Sequence, residues 1–249
     1  MPAKVIKLLR GHSHSHIELM QDETDTWVRK SGDIGRNLER IAALDGILPM
    51  PRILKAESDM YEMEYIPHTD MVTWLAYNQP TDLIIWLHHV VAQLRHNEQA
   101  KDYLQIYHEK LGSPLLIQWW PHLPFDANML ISKLPRFLPT SQYHGDLTMD
   151  NILFNKDRGF CTIDPLTSPY DSWVFDLAKL RQDLRCGWFI RHTNLSLDAK
   201  LGTICNGLSR YQWWDNDYLV ILMLLRVLPY ASADRDKRWL IGEIKKLWK

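Results

Sequence analysis

The sequence predicts an α+β chain in two parts: a small N-terminal β-sheet lobe with one helix, then a larger, mainly helical C-terminal lobe. Three observations predict this. Short apolar runs broken by turn residues fill residues 4–66, the punctuation of strands. From residue 67 the apolar residues recur at helical spacing. The length, 249 residues, suits one bilobed domain or two small ones. The boundary therefore falls between 1–66 and 67–249. No Gly/Ser linker marks it, so the two parts are expected to pack closely.

In order, Val5, Ile6, Leu8 and Leu9 form a first strand, Ile17 to Met20 a second and Trp27 to Lys30 a third. The acidic turn Gln21 to Asp25 separates the last two. Gly35 to Leu44 reads as a helix with Ile34, Leu38, Ile41 and Ala42 on one face, ended by Asp45-Gly46. Pro49 and Pro51 lead into a strand at Ile53-Leu54, and another follows at Tyr61 to Ile66. Thr81 is placed as the N-cap of a helix to Asn97, with Leu83, Leu87, Val90, Val91 and Leu94 on its buried face. Shorter helices are expected at 101–111 and 126–134. A polar loop then runs from Tyr143 to Asn151, followed by a hairpin with strands at Ile152 to Phe154 and Phe160 to Ile163. Helices are expected at 173–186, 196–209, 216–229 and 234–248, with Asp171 as a candidate cap for the first.

Composition excludes several classes. Hydrophobic residues are 46% and charged residues 24%, so the chain is not disordered. A net charge of −1 argues against a protein that coats nucleic acid. Cys161, Cys186 and Cys205 form no C-x-x-C pair, so neither a zinc site nor a disulfide framework is expected, and the default compartment is reducing. The run Leu219 to Leu225 is far short of the ~20 residues of a membrane span. The N-terminus lacks the apolar core of a signal peptide, so the expected location is the cytoplasm.

Chemistry concentrates in His144-Gly-Asp146-Leu-Thr-Met-Asp-Asn151 and Thr162-Ile163-Asp164. Asn151 follows Asp146 by five residues, and Asp164 follows the hairpin. A hairpin returns its far end to its starting loop, so Asn151 and Asp164 can meet at one metal with Asp146 beside them. Phosphoryl transfer from ATP to a hydroxyl asks for this set. One carboxylate orients the hydroxyl and takes its proton, and oxygen ligands hold Mg²⁺ against the phosphates.

These residues resemble the kinase-like aminoglycoside phosphotransferase superfamily, which also includes choline and other small-molecule kinases. The resemblance spans residues of about 4 to 186. It implies a bilobed protein-kinase-like fold and an ATP- and Mg²⁺-dependent transfer of the γ-phosphate, with GTP left open as the donor. His144, Asp146 and Asn151 match the catalytic loop, and Asp164 stands in the metal-binding position in an Ile-Asp-Pro context. The resemblance makes Asp146 catalytic and Asn151 and Asp164 metal ligands. Asp176, in Phe175-Asp176-Leu-Ala, buttresses the loop together with His144. Lys30 becomes the phosphate-binding lysine, and Glu39 the one carboxylate on the following helix that could pair with it. Met63 to Ile66 becomes the hinge, with the Glu64 carbonyl and the Ile66 N–H on the adenine edge. The phosphate-covering loop departs from the pattern. It holds one glycine, Gly11, and Ser13 and Ser15 would donate hydroxyls in place of backbone N–H groups.

Other residues read more simply. His12, His14 and His16 alternate, so they share a face if extended, but an exposed polar loop is the expectation. His88 and His89 are adjacent on a helix and point apart. The Trp119-Trp120 and Trp213-Trp214 pairs belong to packing, with some aromatics left for the acceptor pocket. Residues 1–67 hold 9 basic and 11 acidic side chains, whereas residues 185–249 hold 11 basic and 6 acidic, a balance of +5. In the resembling family the acceptor lies against the C-terminal helices. A basic surface favours a neutral or anionic acceptor, such as a sugar or glycan precursor, over a polycation. Two alternatives stand: a pseudokinase scaffold, for which the glycine-poor loop argues, and a protein kinase, which the missing Asp-Phe-Gly and Ala-Pro-Glu disfavour.

Overall fold

The computed structural model describes residues 3–9 and 15–249. Gly11 and Ser13, expected over the phosphates, and His12 and His14 lie outside the described residues. The N-terminal part is a five-stranded antiparallel sheet of β1 (Lys4–Leu9), β2 (His16–Gln21), β3 (Thr26–Ser31), β4 (Ile53–Ala56) and β5 (Met60–Glu64), in the order β1-β2-β3-β5-β4. The helix α1 (Gly35–Leu44) lies between β3 and β4 in the chain. Strand alternation puts Val28 and Lys30 on one buried face of β3. Arg29 points the other way, to Glu62 on β5.

The rest is mainly helical. It contains α2 (Met71–Tyr77), α3 (Thr81–Leu94), α4 (Leu104–Leu111), α5 (Pro114–Ile117), α6 (Ala127–Ile131), α7 (Trp173–Cys186), α8 (Asp198–Leu208), α9 (Asp217–Val227) and α10 (Asp234–Leu247). Two small antiparallel pairs interrupt the helices: β6 (Gln99–Asp102) with β7 (Phe137–Thr140), and β8 (Ile152–Asn155) with β9 (Gly159–Thr162). The face expected for α3 is the buried one. Residues 219–225 of α9 are all buried, and so is every residue of α7 from Trp173 to Leu184. No helix among the described residues is long and apolar enough to cross a membrane.

Several elements differ from the sequence expectation. α2 was not anticipated. Asp70 starts it by accepting from the Thr73 N–H at 2.8 Å. Thr81 is the first residue of α3 and not its cap, which is Pro80. Asn97 adopts φ 60, a left-handed turn that follows the end of α3. Residues 101–102 belong to β6 because β7 offers them a ladder, so the helix there begins at Leu104. β5 ends at Glu64, two residues early. Ser172, not Asp171, caps α7 by accepting from the Val174 N–H; Asp171 pairs with Lys101 and Tyr103.

Candidate phosphoryl-transfer site

The β8–β9 hairpin pairs Ile152 with Thr162, and one step further the Ile163 N–H donates to the Asn151 carbonyl at 3.0 Å. One ladder and the hydrogen bond beyond it thus bring Asp164 near Asn151. Asp164 has φ 54, an uncommon conformation for a residue with a side chain. Its Oδ1 lies 2.9 Å from Lys30 Nζ, on a lysine only 3% exposed. The Asn151 amide Nδ2 donates to the Asp146 carbonyl at 2.8 Å and to its Oδ2 at 3.2 Å. Two side-chain pairs, Asn151–Asp146 and Lys30–Asp164, are therefore held next to each other by the Ile163–Asn151 hydrogen bond.

Asp146 has a second partner that the sequence reading missed. Lys179 Nζ, on buried α7, sits 3.1 Å from Asp146 Oδ1. Burial raises the Asp146 carboxyl, but the Lys179 ammonium and the Arg226 guanidinium outweigh it and hold the group below its ordinary value. It stays ionised near neutrality.

α7 holds the loop along one stripe. Asp176 accepts from the His144 N–H at 2.6 Å and the Gly145 N–H at 2.9 Å. Lys179 follows at i+3, and at i+7 Asp183 accepts from the Met149 N–H at 2.7 Å. The spacing of 176, 179 and 183 is the signal that sequence reading could have used. Gly145 is required where it stands: φ is +86, and a Cβ there would lie 1.9 Å from the Leu166 carbonyl oxygen. His144 is fully buried, and burial lowers its imidazole to about 4, so it is neutral. Its ring nitrogens make no well-formed hydrogen bond. Its backbone does the holding, through Asp176 and through the Leu166 N–H, which donates to the His144 carbonyl at 2.9 Å.

α1 corrects two expectations. Glu39 is exposed and does not meet Lys30, whose carboxylate partner is Asp164. The buried face of α1 carries Asn37, Arg40 and Leu44, while Ala42 is exposed and Leu38 and Ile41 only partly covered. Leu44 joins the apolar core, while the polar residues of the helix meet loop carbonyls. Asn37 donates to the Pro165 carbonyl at 2.9 Å, Arg36 to that of Thr167, and Arg40 to that of Tyr143 at 2.7 Å.

A cleft of about 290 Å³ runs from Lys30 and Asp164 to the strand that ends β5. Ile17 and Val28 face it from the sheet, Leu153 and Ile163 from the hairpin, and Glu64 and Ile66 stand at its far end. The Glu64 side chain binds Arg158 at 2.8 Å, which holds its carboxyl below the usual range. The Ile66 carbonyl is 2.9 Å from His68 Nδ1.

The donor set fits a magnesium ion. With the Asn151 Nδ2 turned onto Asp146, its carbonyl oxygen is left for a cation, and Asp164 keeps Oδ2. One carboxylate and one amide oxygen suffice only when phosphate oxygens and waters complete the shell. Among the described residues no group of three His, Cys, Asp or Glu forms a metal cage.

The profile of a phosphotransferase enzyme family (APH) matches residues 7–214. The fold is similar to that of a thermostable aminoglycoside phosphotransferase APH(4)-Ia in complex with ADP and hygromycin B, with TM-score 0.66 and 12% identity over 98% of this chain and 93% of that one. It is also similar to a provisionally assigned fructosamine-3-kinase of Haemophilus somnus 129PT (TM-score 0.63, 13% identity, 100% and 92% covered). An ethanolamine kinase of Plasmodium vivax follows (TM-score 0.57, 10% identity, 98% and 82% covered). No match was found among curated protein sequences. With the profile covering most of its length, the chain belongs to the APH phosphotransferase family and has that family's kinase-like fold.

Proposed function

We propose that the protein is a cytoplasmic kinase that transfers the γ-phosphate of ATP to a hydroxyl of a small molecule, a neutral or anionic sugar or glycan precursor. The observation that carries this reading is the pair Lys30–Asp164 lining an apolar cleft, tied through the Ile163–Asn151 backbone hydrogen bond to the neighbouring pair Asn151–Asp146. In this reading residues 1–66 cover the nucleotide, and residues 67–249 carry the catalytic loop and the acceptor site. Adenine lies between Val28 and Leu153 and meets the Glu64 carbonyl and Ile66 N–H. Lys30 steadies the phosphates, and Asn151 and Asp164 would hold Mg²⁺, which would supply charge neutralisation there. Asp146 accepts the acceptor hydroxyl. The acceptor O–P bond forms as the β–γ bridge bond breaks, and the hydroxyl proton passes to Asp146. Because its neighbours keep Asp146 ionised, it is a weak base. Orienting the hydroxyl is its main contribution, which suits a loose transition state.

ADP release in a screen of hydroxyl-bearing metabolites tests the reading. With an acceptor in hand, Asp146→Asn should slow transfer about 10²–10⁴-fold and leave nucleotide binding nearly intact. Asp164→Ala should abolish turnover. A wild-type rate in Asp146→Asn would refute the assigned role.

A further inference from the structure

Arg226 stands beside the loop of residues 144–151 with no described carboxylate in ion-pair contact, although its charge reaches Asp146. It comes from the last turn of α9. Its guanidinium lies 5.0 Å over the Tyr170 ring, with Nη1 3.4 Å from Met223 Sδ and Nη2 3.5 Å from the Gly145 carbonyl oxygen. No described carboxylate is within ion-pair distance of it. Two other arginines of the helical part are matched differently: Arg181 by Asp217 at 2.7 Å and Arg191 by Asp236 at 3.4 Å. Arg226 is half-buried, so its charge is partly desolvated; its direct contacts are a ring, a thioether and one long hydrogen bond, with Asp146 as the opposite charge beyond them. The same contacts fix its orientation and leave most of its donors open.

The position matters as much as the charge. Neither Arg226 nor Tyr170 lines the nucleotide cleft. Lys30 serves that cleft, and Lys179 is committed to Asp146. An anion at Arg226 would therefore sit beside Asp146 and outside the adenine and phosphate path. A guanidinium fork matches carboxylate and phosphate oxygens.

We infer that Arg226 forms an anion-binding subsite for the acceptor, so that the molecule presenting its hydroxyl to Asp146 carries a carboxylate or phosphate nearby. This rests on the phosphotransfer reading and narrows it to a sugar acid, a sugar phosphate or a compound of like charge. The excess of 11 basic over 6 acidic side chains in residues 185–249 points the same way. The shared chemistry, an oxyanion, has a second source in the transferred γ-phosphoryl group, and the experiment separates the two.

Inorganic phosphate and glucuronate are titrated calorimetrically into protein saturated with Mg·AMP-PNP, Mg·ADP or no nucleotide. AMP-PNP fills the γ-position, so an anion that still binds lies on the acceptor side. The subsite requires binding to the AMP-PNP-loaded wild type that weakens at least tenfold, about 1.4 kcal/mol, in Arg226→Gln. It should be unchanged in Lys246→Gln, an exposed lysine paired with Glu243. Binding only when the γ-position is empty would assign Arg226 to the transferred group and overturn the inference. So would no binding at all, or equal binding in Arg226→Gln. If that variant fails to fold, Arg226→Lys keeps the charge without the fork and should bind severalfold more weakly; wild-type affinity there refutes the subsite. Failure of AMP-PNP itself to bind would count against the phosphotransfer reading, whereas AMP-PNP binding without an Arg226-dependent anion site would overturn the subsite alone.

Discussion

Asp183 lies wholly inside the molecule, with one carboxylate oxygen on the Met149 N–H and the other without a partner. Burial pushes its carboxyl up to about 8, and burial likewise lifts Asp176 to about 6. In the unfolded chain both titrate near ~4. Between about 4 and 8 the folded protein therefore holds protons that the unfolded chain has released, and stability falls as pH rises through that window. The Tm should drop by several degrees between pH 6 and pH 8.5. Asp183→Asn keeps an acceptor for Met149 while removing the charge, and should flatten most of that slope. A wild-type slope in that variant, read by thermal denaturation, would remove Asp183 as the cause. At this scale the nearness of Asp146, Asn151 and Asp164 was legible because the first two are close in sequence and a hairpin with clear turn residues returns the third. Lys179 and Asp183 reach the loop from more than 30 residues away and show only as polar interruptions in a buried helix. Arg226 had no sequence signal at all.

α1 shows how an element can be placed correctly and still be misread. Its span, Gly35 to Leu44, is the expected one, but beside Leu44 its buried residues are the polar Asn37 and Arg40. An apolar stripe signals a helix resting on side chains. α1 instead faces loops whose carbonyls have no strand or helix partner, and a buried carbonyl needs a donor. Arg36, Asn37 and Arg40 supply donors to segments on either side of the site, residues 142–143 before His144 and 165–167 after Asp164. Arg40 also stacks 4.0 Å over the Tyr143 ring. The pair β6 and β7 was missed for a related reason. The pairing joins residues nearly forty apart, which no local period records. Arg40→Ala leaves buried acceptors unpaired and should cost about 2–3 kcal/mol. At roughly 2–4 °C per kcal/mol for a chain of this size, the Tm should fall by about 5–10 °C. Arg40→Lys should recover only part of this, because it loses the fork and the stacking. A loss of less than about 1 kcal/mol in thermal or urea denaturation would show that α1 is held by its apolar residues instead.

Across the whole molecule the site is where sheet and helical part meet, so ligand and fold are coupled. Lys30 binds Asp164, Glu64 binds Arg158, Asn37 binds the Pro165 carbonyl, and the Thr162 N–H donates to the Pro49 carbonyl at 2.8 Å. The cleft takes one wall from β2 and β3 and the other from the β8–β9 hairpin. A nucleotide in it touches both parts at once and binds only while they are held together, so it must stabilise the assembled state. At about 100 times its Kd the gain is about 2.7 kcal/mol, or a Tm rise of roughly 5–10 °C for ATP with Mg²⁺. The Lys30–Asp164 pair predicts how that rise is built. Lys30→Met removes the cation for the phosphates and frees Asp164, so most of the rise should disappear even though the apolar walls remain. Chelating Mg²⁺ should shrink it in the wild type, because Asn151 and Asp164 then face the phosphates without a bridging charge. A rise of full size in both conditions would mean that the nucleotide is held somewhere other than between Lys30 and Asp164. Such a result would separate the cleft from the Asp146–Asn151 pair that the Ile163–Asn151 hydrogen bond ties to Asp164.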